Sequence, residues 1–130
     1  MALTVRIDGL APYPRALALM ERLVDARIRG ALPDVILLLE HPPVITVGRA
    51  RSARDSLTDP GPIPVVEVTR GGDTTLHGPG QLVAWPILAL PDGRRDLIRH
   101  LRGLEQGVMD LLADMGLDPV RDPRNTGVWL

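Results

Sequence analysis

The segment richest in reactive side chains is Arg70-Gly71-Gly72-Asp73-Thr74-Thr75-Leu76-His77-Gly78-Pro79-Gly80-Gln81. Glycines in such a run let the backbone approach a ligand closely and turn N–H groups towards it. Arg70 presents a fixed fork of donors suited to an anion or a carbonyl oxygen, and His77 can give or take a proton near neutral pH. The same residues also suit a plain turn between two strands with an arginine at the surface. Residue types alone leave both readings open.

The remaining histidines offer less. His41 ends an apolar run and precedes Pro42-Pro43, a setting that favours structural hydrogen bonding over catalysis. His100 stands beside Arg99 and Arg102 on a helical stretch and reads as solvated. Arg94, Arg95, Arg99 and Arg102 form a basic cluster, either a wet helix face or a docking patch for an acidic partner.

Composition removes many chemistries from these 130 residues. There is no Cys, and all 15 basic side chains are Arg. Thiol nucleophiles, zinc ribbons, P-loop lysines and Schiff-base lysines are therefore excluded within this stretch. The zinc pairing H-E-x-x-H and the hydrolase elbow G-x-S-x-G are absent, and Ser52 and Ser56 are the only serines. A dinucleotide fingerprint starting at Gly78 would need its third glycine at Val83. Aromatic side chains are limited to Tyr13, Trp85 and Trp129, and the formal charge is −1. A base-stacking nucleic-acid surface needs more of both.

Periodicity places these residues on elements. Leu3-Thr-Val-Arg-Ile7 alternates like a strand with one buried face, and Asp8-Gly9 turns it. Leu17, Met20, Val24 and Ile28 recur at helical spacing, with Pro14 in the first turn and Gly30 as the stop, which predicts a helix over 13–29. Val35 to Leu39 has no polar residue and predicts a strand covered on both sides. Val44 to Val47, Val65 to Val68 and Leu82 to Leu90 read as extended, the last interrupted by Pro86. Residues 49–61 read as a surface loop. A second amphipathic helix is expected from about Asp96 to Met115, with Gly103 and Gly107 explicable by close packing on a sheet. No apolar run is long enough to span a bilayer, and no targeting signal opens the chain, so a cytoplasmic protein that avoids membranes is expected. The order strand, helix, several strands, helix, strand points to an α+β domain with a mixed sheet flanked by helices.

A family resemblance rests on five blocks taken in order: Leu37-Leu-Leu-Glu40-His41-Pro-Pro-Val44; Thr46 with Gly48-Arg49; Arg70-Gly-Gly72 with Thr75; His77-Gly-Pro-Gly-Gln81; and Thr126-Gly-Val-Trp129. Together they resemble the lipoyl(octanoyl) transferases, which share the biotin/lipoate protein ligase fold. The resemblance implies transfer of an octanoyl group from acyl carrier protein to a lysine of lipoyl domains. Those of the 2-oxoacid dehydrogenases and the glycine cleavage H protein are the expected acceptors. It implies no cofactor and a cysteine thioester intermediate. It places Arg70, Gly71, Gly72, Asp73, Thr74, Thr75, Leu76 and His77 in the acyl substrate site. Beyond the resemblance, we expect the Gly71-Gly72 N–H groups to face the carbonyl oxygen as charge develops on it. Leu76 stands where the family usually has an aromatic. The family's cysteine and assisting lysine lie downstream of Thr-Gly-Val-Trp, so neither maps onto residues 1–130. The expectation is the N-terminal part of one catalytic domain, incomplete at its C-terminus; the alternatives are a non-catalytic half that needs a partner chain and an ATP-dependent lipoate or biotin ligase. Its apolar patch at Val35 to Leu39, Val128 and Trp129 would then favour association.

Overall fold

The computed structural model describes residues 2–50, 52–53, 55, 57–90 and 96–130. Arg94, Arg95 and Ser56 lie outside the described residues. Two compact units divide the chain, residues 1–89 and 90–130.

The first unit holds β1 (Leu3–Leu10), α1 (Tyr13–Ile28), β2 (Val35–Glu40), β3 (Val44–Val47), β4 (Val65–Glu67), β5 (Thr74–His77) and β6 (Val83–Ile87). These strands make two three-stranded mixed sheets, ordered β1-β2-β6 and β4-β3-β5. β1 runs parallel to β2, with α1 as the crossover a parallel pair requires, while β6 is antiparallel to β2. In the second sheet β3 lies between parallel β4 and antiparallel β5.

Burial follows the pleat. Along β2, Val35, Leu37 and Leu39 are essentially inaccessible, whereas Ile36 and Leu38 on the other face are half-buried. Full burial of a leucine side chain is worth roughly 1.5–3 kcal/mol, so this central strand anchors the unit. α1 packs on it through Ala16, Leu19 and Leu23, joined by Ile7, Val83 and Trp85. The stripe at Leu17, Met20, Val24 and Ile28 is thus not the one that meets the sheet. Leu17, Met20 and Val24 line a cleft, and Ile28 is exposed.

Three further expectations change in detail. β1 continues past Asp8-Gly9 to Leu10, its register with β2 slipping between Arg6 and Leu10 where Gly9 takes a positive φ of 76°. Segment 49–61 is more than a surface loop: Ala53 is fully buried and packs with Ile45, Val47, Ala50, Leu57 and Ile63. The glycine-rich run is not loop throughout, because Thr74–His77 forms β5 against β3.

The second unit contains α2 (Leu97–Asp114), capped by the Asp96 carboxylate, which accepts from the Arg99 N–H at 3.0 Å. Within this unit a Cβ at Gly103 or Gly107 would meet no heavy atom among the described residues within 4 Å. Val120 and Trp129 exchange backbone hydrogen bonds of 2.8 and 2.9 Å, which fastens the Thr126–Trp129 stretch back onto its own unit. Glu105 is the buried tie behind that loop. Its carboxylate accepts from Arg102 at 2.7 Å, from Arg121 at 3.3 Å and from the Gly127 N–H at 2.9 Å. These bonds, the Arg102 one foremost, hold its pKa below the usual carboxylate value.

Candidate acyl site

The site residues expected from sequence are divided by the pleat of β5. Successive strand residues point to opposite faces, so Thr75 and His77 share one side, and Thr74 and Leu76 the other. The Thr75 hydroxyl accepts from Arg70 Nη2 at 3.0 Å, and His77 Nε2 lies 3.4 Å from the Thr46 hydroxyl. On the opposite side the Thr74 hydroxyl donates to the Ala53 carbonyl, and Leu76 is 57% exposed. The eight-residue segment therefore presents Arg70, Thr75 and His77 together and turns Leu76 away from them.

Arg70 organises the loop from within. Its Nη1 donates to the carbonyls of Gly71 and Asp73 at 3.0 and 2.9 Å. Nη2 donates to the Thr46 hydroxyl at 2.8 Å and the Thr46 carbonyl at 3.3 Å. A guanidinium bonded to several protein oxygens fixes the backbone that carries Gly71 and Gly72. Asp73 is also engaged, accepting from the Ser52 hydroxyl at 3.0 Å and its neighbour's N–H at 2.8 Å.

The β3 end clasps this loop. Arg49 N–H donates to the Arg70 carbonyl and Ala50 N–H to the Gly72 carbonyl, both at 3.1 Å. Gly48 is required by proximity: a Cβ there would sit 2.3 Å from the Gly72 carbonyl oxygen and 2.9 Å from Arg70 Nη1. The spacing of Thr46, Gly48 and Arg49 against Arg70-Gly71-Gly72 is thus one interlocked contact.

His77-Gly78-Pro79-Gly80-Gln81 folds as a strand end and a reverse turn. Gln81 N–H returns to the Gly78 carbonyl at 3.2 Å, with Pro79 at the first central position and Gly80 at φ 84° at the second. That is a type II turn, which needs a positive φ at its second central residue. The reversal brings Gln81 back over His77, where its Oε1 meets Nδ1 at 2.7 Å. Glu40 secures the turn by accepting from the Gly80 N–H at 2.7 Å.

Beside this network lies a ring cluster that sequence reasoning missed. Tyr13 sits 5.0 Å from His41, 6.0 Å from His77 and 6.0 Å from Trp85 between ring centroids, and His41 is 5.6 Å from His77. Tyr13 and Trp85 were visible only as scarce aromatics, although Tyr13 at the first position of α1 and Trp85 on β6 could be placed by element. Burial raises the Tyr13 pKa, with the Arg70 charge opposing. His41 is fully buried and its Nδ1 meets the Ala11 carbonyl at 2.7 Å, in keeping with the structural role read from its context. Burial, ahead of any charge effect, depresses its pKa. Its Nε2 has no hydrogen-bond partner among the described residues.

The cluster opens on a cleft of about 350 Å³ lined by Tyr13, Leu17, Met20, Val24, Arg70 and Trp85 among others. Its walls are mostly apolar along α1 and β6, with Glu21 the charged residue on α1, and Glu67 and Arg70 line it as well. Among the described residues no group of three or more His, Cys, Asp or Glu is placed to hold a metal ion.

The family profile described as the lipoyl protein ligase A/B catalytic domain matches residues 12–130. The chain belongs to this family. Among curated relatives, an octanoyltransferase of Geobacter metallireducens is 46% identical over 96% of this chain and 58% of its own length. An octanoyltransferase of Geobacter sulfurreducens is 51% identical over 90% of this chain and 49% of its own. The chain spans about half the length of the curated relatives it matches. Solved structures carry the same fold at low identity. A lipoate protein ligase of Thermoplasma acidophilum with bound lipoic acid superposes with a TM-score of 0.62 at 17% identity, covering 99% of this chain and 54% of the other. The bipartite ligase of the same organism, described with its E2 lipoyl domain, gives 0.61 at 18% identity, covering 94% and 48%. Membership of the lipoyl protein ligase A/B family thus accounts for the mixed sheets, with α1 packed on the first of them.

Proposed function

We propose that this chain is the N-terminal portion of an octanoyltransferase catalytic domain. In this reading residues 70–77 and the adjoining cleft receive the octanoyl group. The observation that carries it is the junction of a rigid polar loop with an apolar cleft. Arg70 and Gly48 immobilise Gly71-Gly72, and next to them Tyr13, Leu17, Met20, Val24 and Trp85 offer a wall to an alkyl chain. The cleft volume falls within the range of small-ligand sites, about 300–1,000 Å³. Backbone N–H groups of Gly71-Gly72 would stabilise the charge that develops on the acyl oxygen, since donors held in place beforehand need no reorganisation during the reaction. Asp73, Thr74 and Leu76 would support the loop from the opposite face of β5.

The relatives' name, octanoyltransferase, supports the same reading. The donor would be octanoyl-acyl carrier protein, and the acceptors lipoyl domains of the 2-oxoacid dehydrogenases and the glycine cleavage H protein, in the cytoplasm. Among the described residues no helix is long and apolar enough to cross a membrane. The nucleophilic cysteine and its lysine would be supplied from beyond Leu130.

The test is a titration of octanoate into the isotope-labelled chain. Resonances of Tyr13, Thr75, His77 and Trp85 are expected to shift together, and shifts confined to α2 would overturn the site. In the protein carrying the cysteine, octanoyl transfer to a lipoyl domain should proceed without ATP. An absolute ATP requirement would favour a lipoate ligase instead.

A further inference from the structure

We infer that Gln81 is a positioning residue that holds neutral His77 as the Nδ1–H tautomer, so that His77 offers a lone pair rather than a proton at Nε2. The inference rests on the acyl-site reading only for its chemical meaning, since the tautomer itself follows from the hydrogen bonds.

The orientation of the Gln81 amide comes first. Its Nε2 donates to the Leu76 carbonyl at 3.3 Å, an acceptor that takes only the NH2 end. The Oε1 end is thereby left facing His77 Nδ1 at 2.7 Å. An amide oxygen only accepts, so Nδ1 must carry the hydrogen, and in a neutral imidazole Nε2 is then the acceptor. The far side of the ring agrees. Thr46 Oγ1 is 3.4 Å from His77 Nε2 and already accepts from Arg70 Nη2 at 2.8 Å. The Thr46 hydroxyl also lies 3.5 Å from the Thr75 carbonyl, so its one hydrogen can turn to that oxygen or to Nε2, and the Nδ1–H form is compatible with both. The tautomer is fixed from the Gln81 side, and nothing on the Thr46 side sets a donor against a donor.

The type II turn makes this possible. Gln81 is exposed and four residues from His77, yet the reversal at Pro79-Gly80 sets its side chain against the ring. The consequence for chemistry is specific. A histidine with a proton on Nε2 would polarise a carbonyl. One with a lone pair there instead accepts a hydrogen bond from an N–H or O–H donor, such as the amine that attacks an acyl group. The Gly71-Gly72 backbone would then be the oxygen-binding element of the site, and His77 the element that receives a donor.

Imidazole 15N shifts distinguish a protonated ring nitrogen from one bearing a lone pair, and the chain has only three imidazoles to assign. In spectra recorded where the shifts themselves show a neutral ring, His77 is expected to show a protonated Nδ1 and a lone-pair Nε2. Gln81→Leu removes the acceptor and should move His77 to a mixture with a substantial Nε2–H population. Gln81→Glu keeps an acceptor at that position and should retain the wild-type pattern. His41, held as Nδ1–H by the Ala11 carbonyl, should be unchanged in all three and reports that the fold is intact. An Nε2–H His77 in the wild type, or an unchanged tautomer in Gln81→Leu, overturns the inference. The wild-type spectrum decides the tautomer even where a variant fails to fold. No acyl donor enters the measurement, so its outcome is separable from that of the octanoate titration.

Discussion

His41 shows how a single side chain can be fixed by what surrounds it. Its ring is sealed among Tyr13, Trp85 and His77, with one nitrogen bonded to Ala11 and the other without a partner among the described residues. Burial depresses its pKa from the ordinary 6.5. The unfolded chain then binds the proton more readily than the folded one, so the contribution of His41 to stability is fully present above about pH 6.5 and is lost as pH falls through its lower folded value. Urea midpoints measured against pH should decline below that point. In His41→Asn, which keeps a donor for Ala11 and removes the titration, the decline should be shallower. Equal slopes in the two proteins would show that His41 does not carry the effect. The residue's structural bias was legible from its position at a strand end before two prolines. Its burial was not, because that depends on Tyr13 and Trp85 arriving from α1 and β6.

At the scale of elements, the second sheet and the Arg70 loop are built together. Gly48 follows the last residue of β3, and the carbonyl of Gly72 occupies the space a side chain there would need. Gly48→Ala should therefore destabilise the protein by about 1–3 kcal/mol, the usual cost of forcing atoms into a filled space. Gly71→Ala is the matched control, since a Cβ at Gly71 meets nothing within 4 Å. It should lie within about 0.5 kcal/mol of wild type, as open surface positions do. Denaturant midpoints compare the two, and equal values would mean that the loop is not clasped at Gly48. Among the described residues, sequence pattern found seven of the eight regular elements, five of them within a residue at each bound, because each has a continuous run of its own periodicity. It left β5 inside a glycine-rich loop, since Thr-Thr-Leu-His has too few apolar residues to show alternation and pairs only because β3 lies beside it. The Leu17, Met20, Val24 stripe on α1 has a different cause. Two apolar stripes run along this helix, and spacing does not say which one meets a sheet and which one lines a cleft.

For the molecule as a whole, the balance of buried and exposed apolar surface differs between its two units. β2 in the first is covered, so Val35, Leu37 and Leu39 contribute nothing to an exposed patch. In the second, Leu97, Leu101, Leu104, Val108, Leu111 and Met115 are each between 39% and 73% exposed, and Trp129 and Leu130 are 49% and 77% exposed. Apolar stripes of this kind seldom stay uncovered in water. The 130-residue chain is therefore expected to self-associate with rising concentration, read by light scattering on a sizing column. A monodisperse monomer across the range would count against it. Glu105 works against fraying within this unit by tying α2 to Arg121 and Gly127. Nothing in the sequence marks Glu105 as buried among the acidic residues of an amphipathic helix, because beyond Arg102 its partners lie 16 and 22 residues further on.

By itself the sequence determined the local elements, the absence of thiol and lysine chemistry in these residues, and the family, whose motifs are short runs of fixed spacing. The physical reason is that periodicity, turn chemistry and residue type act over a few neighbours. Tertiary structure alone decided what each motif residue touches. It set Arg70 to holding its own loop, turned Leu76 away from His77, folded Gln81 over the imidazole and gathered Tyr13, His77 and Trp85 from three elements and His41 from the loop after β2. Those relations depend on strand register and on which face of a helix or strand is covered. Both are settled only when the sheets pair and α1 packs down on β2.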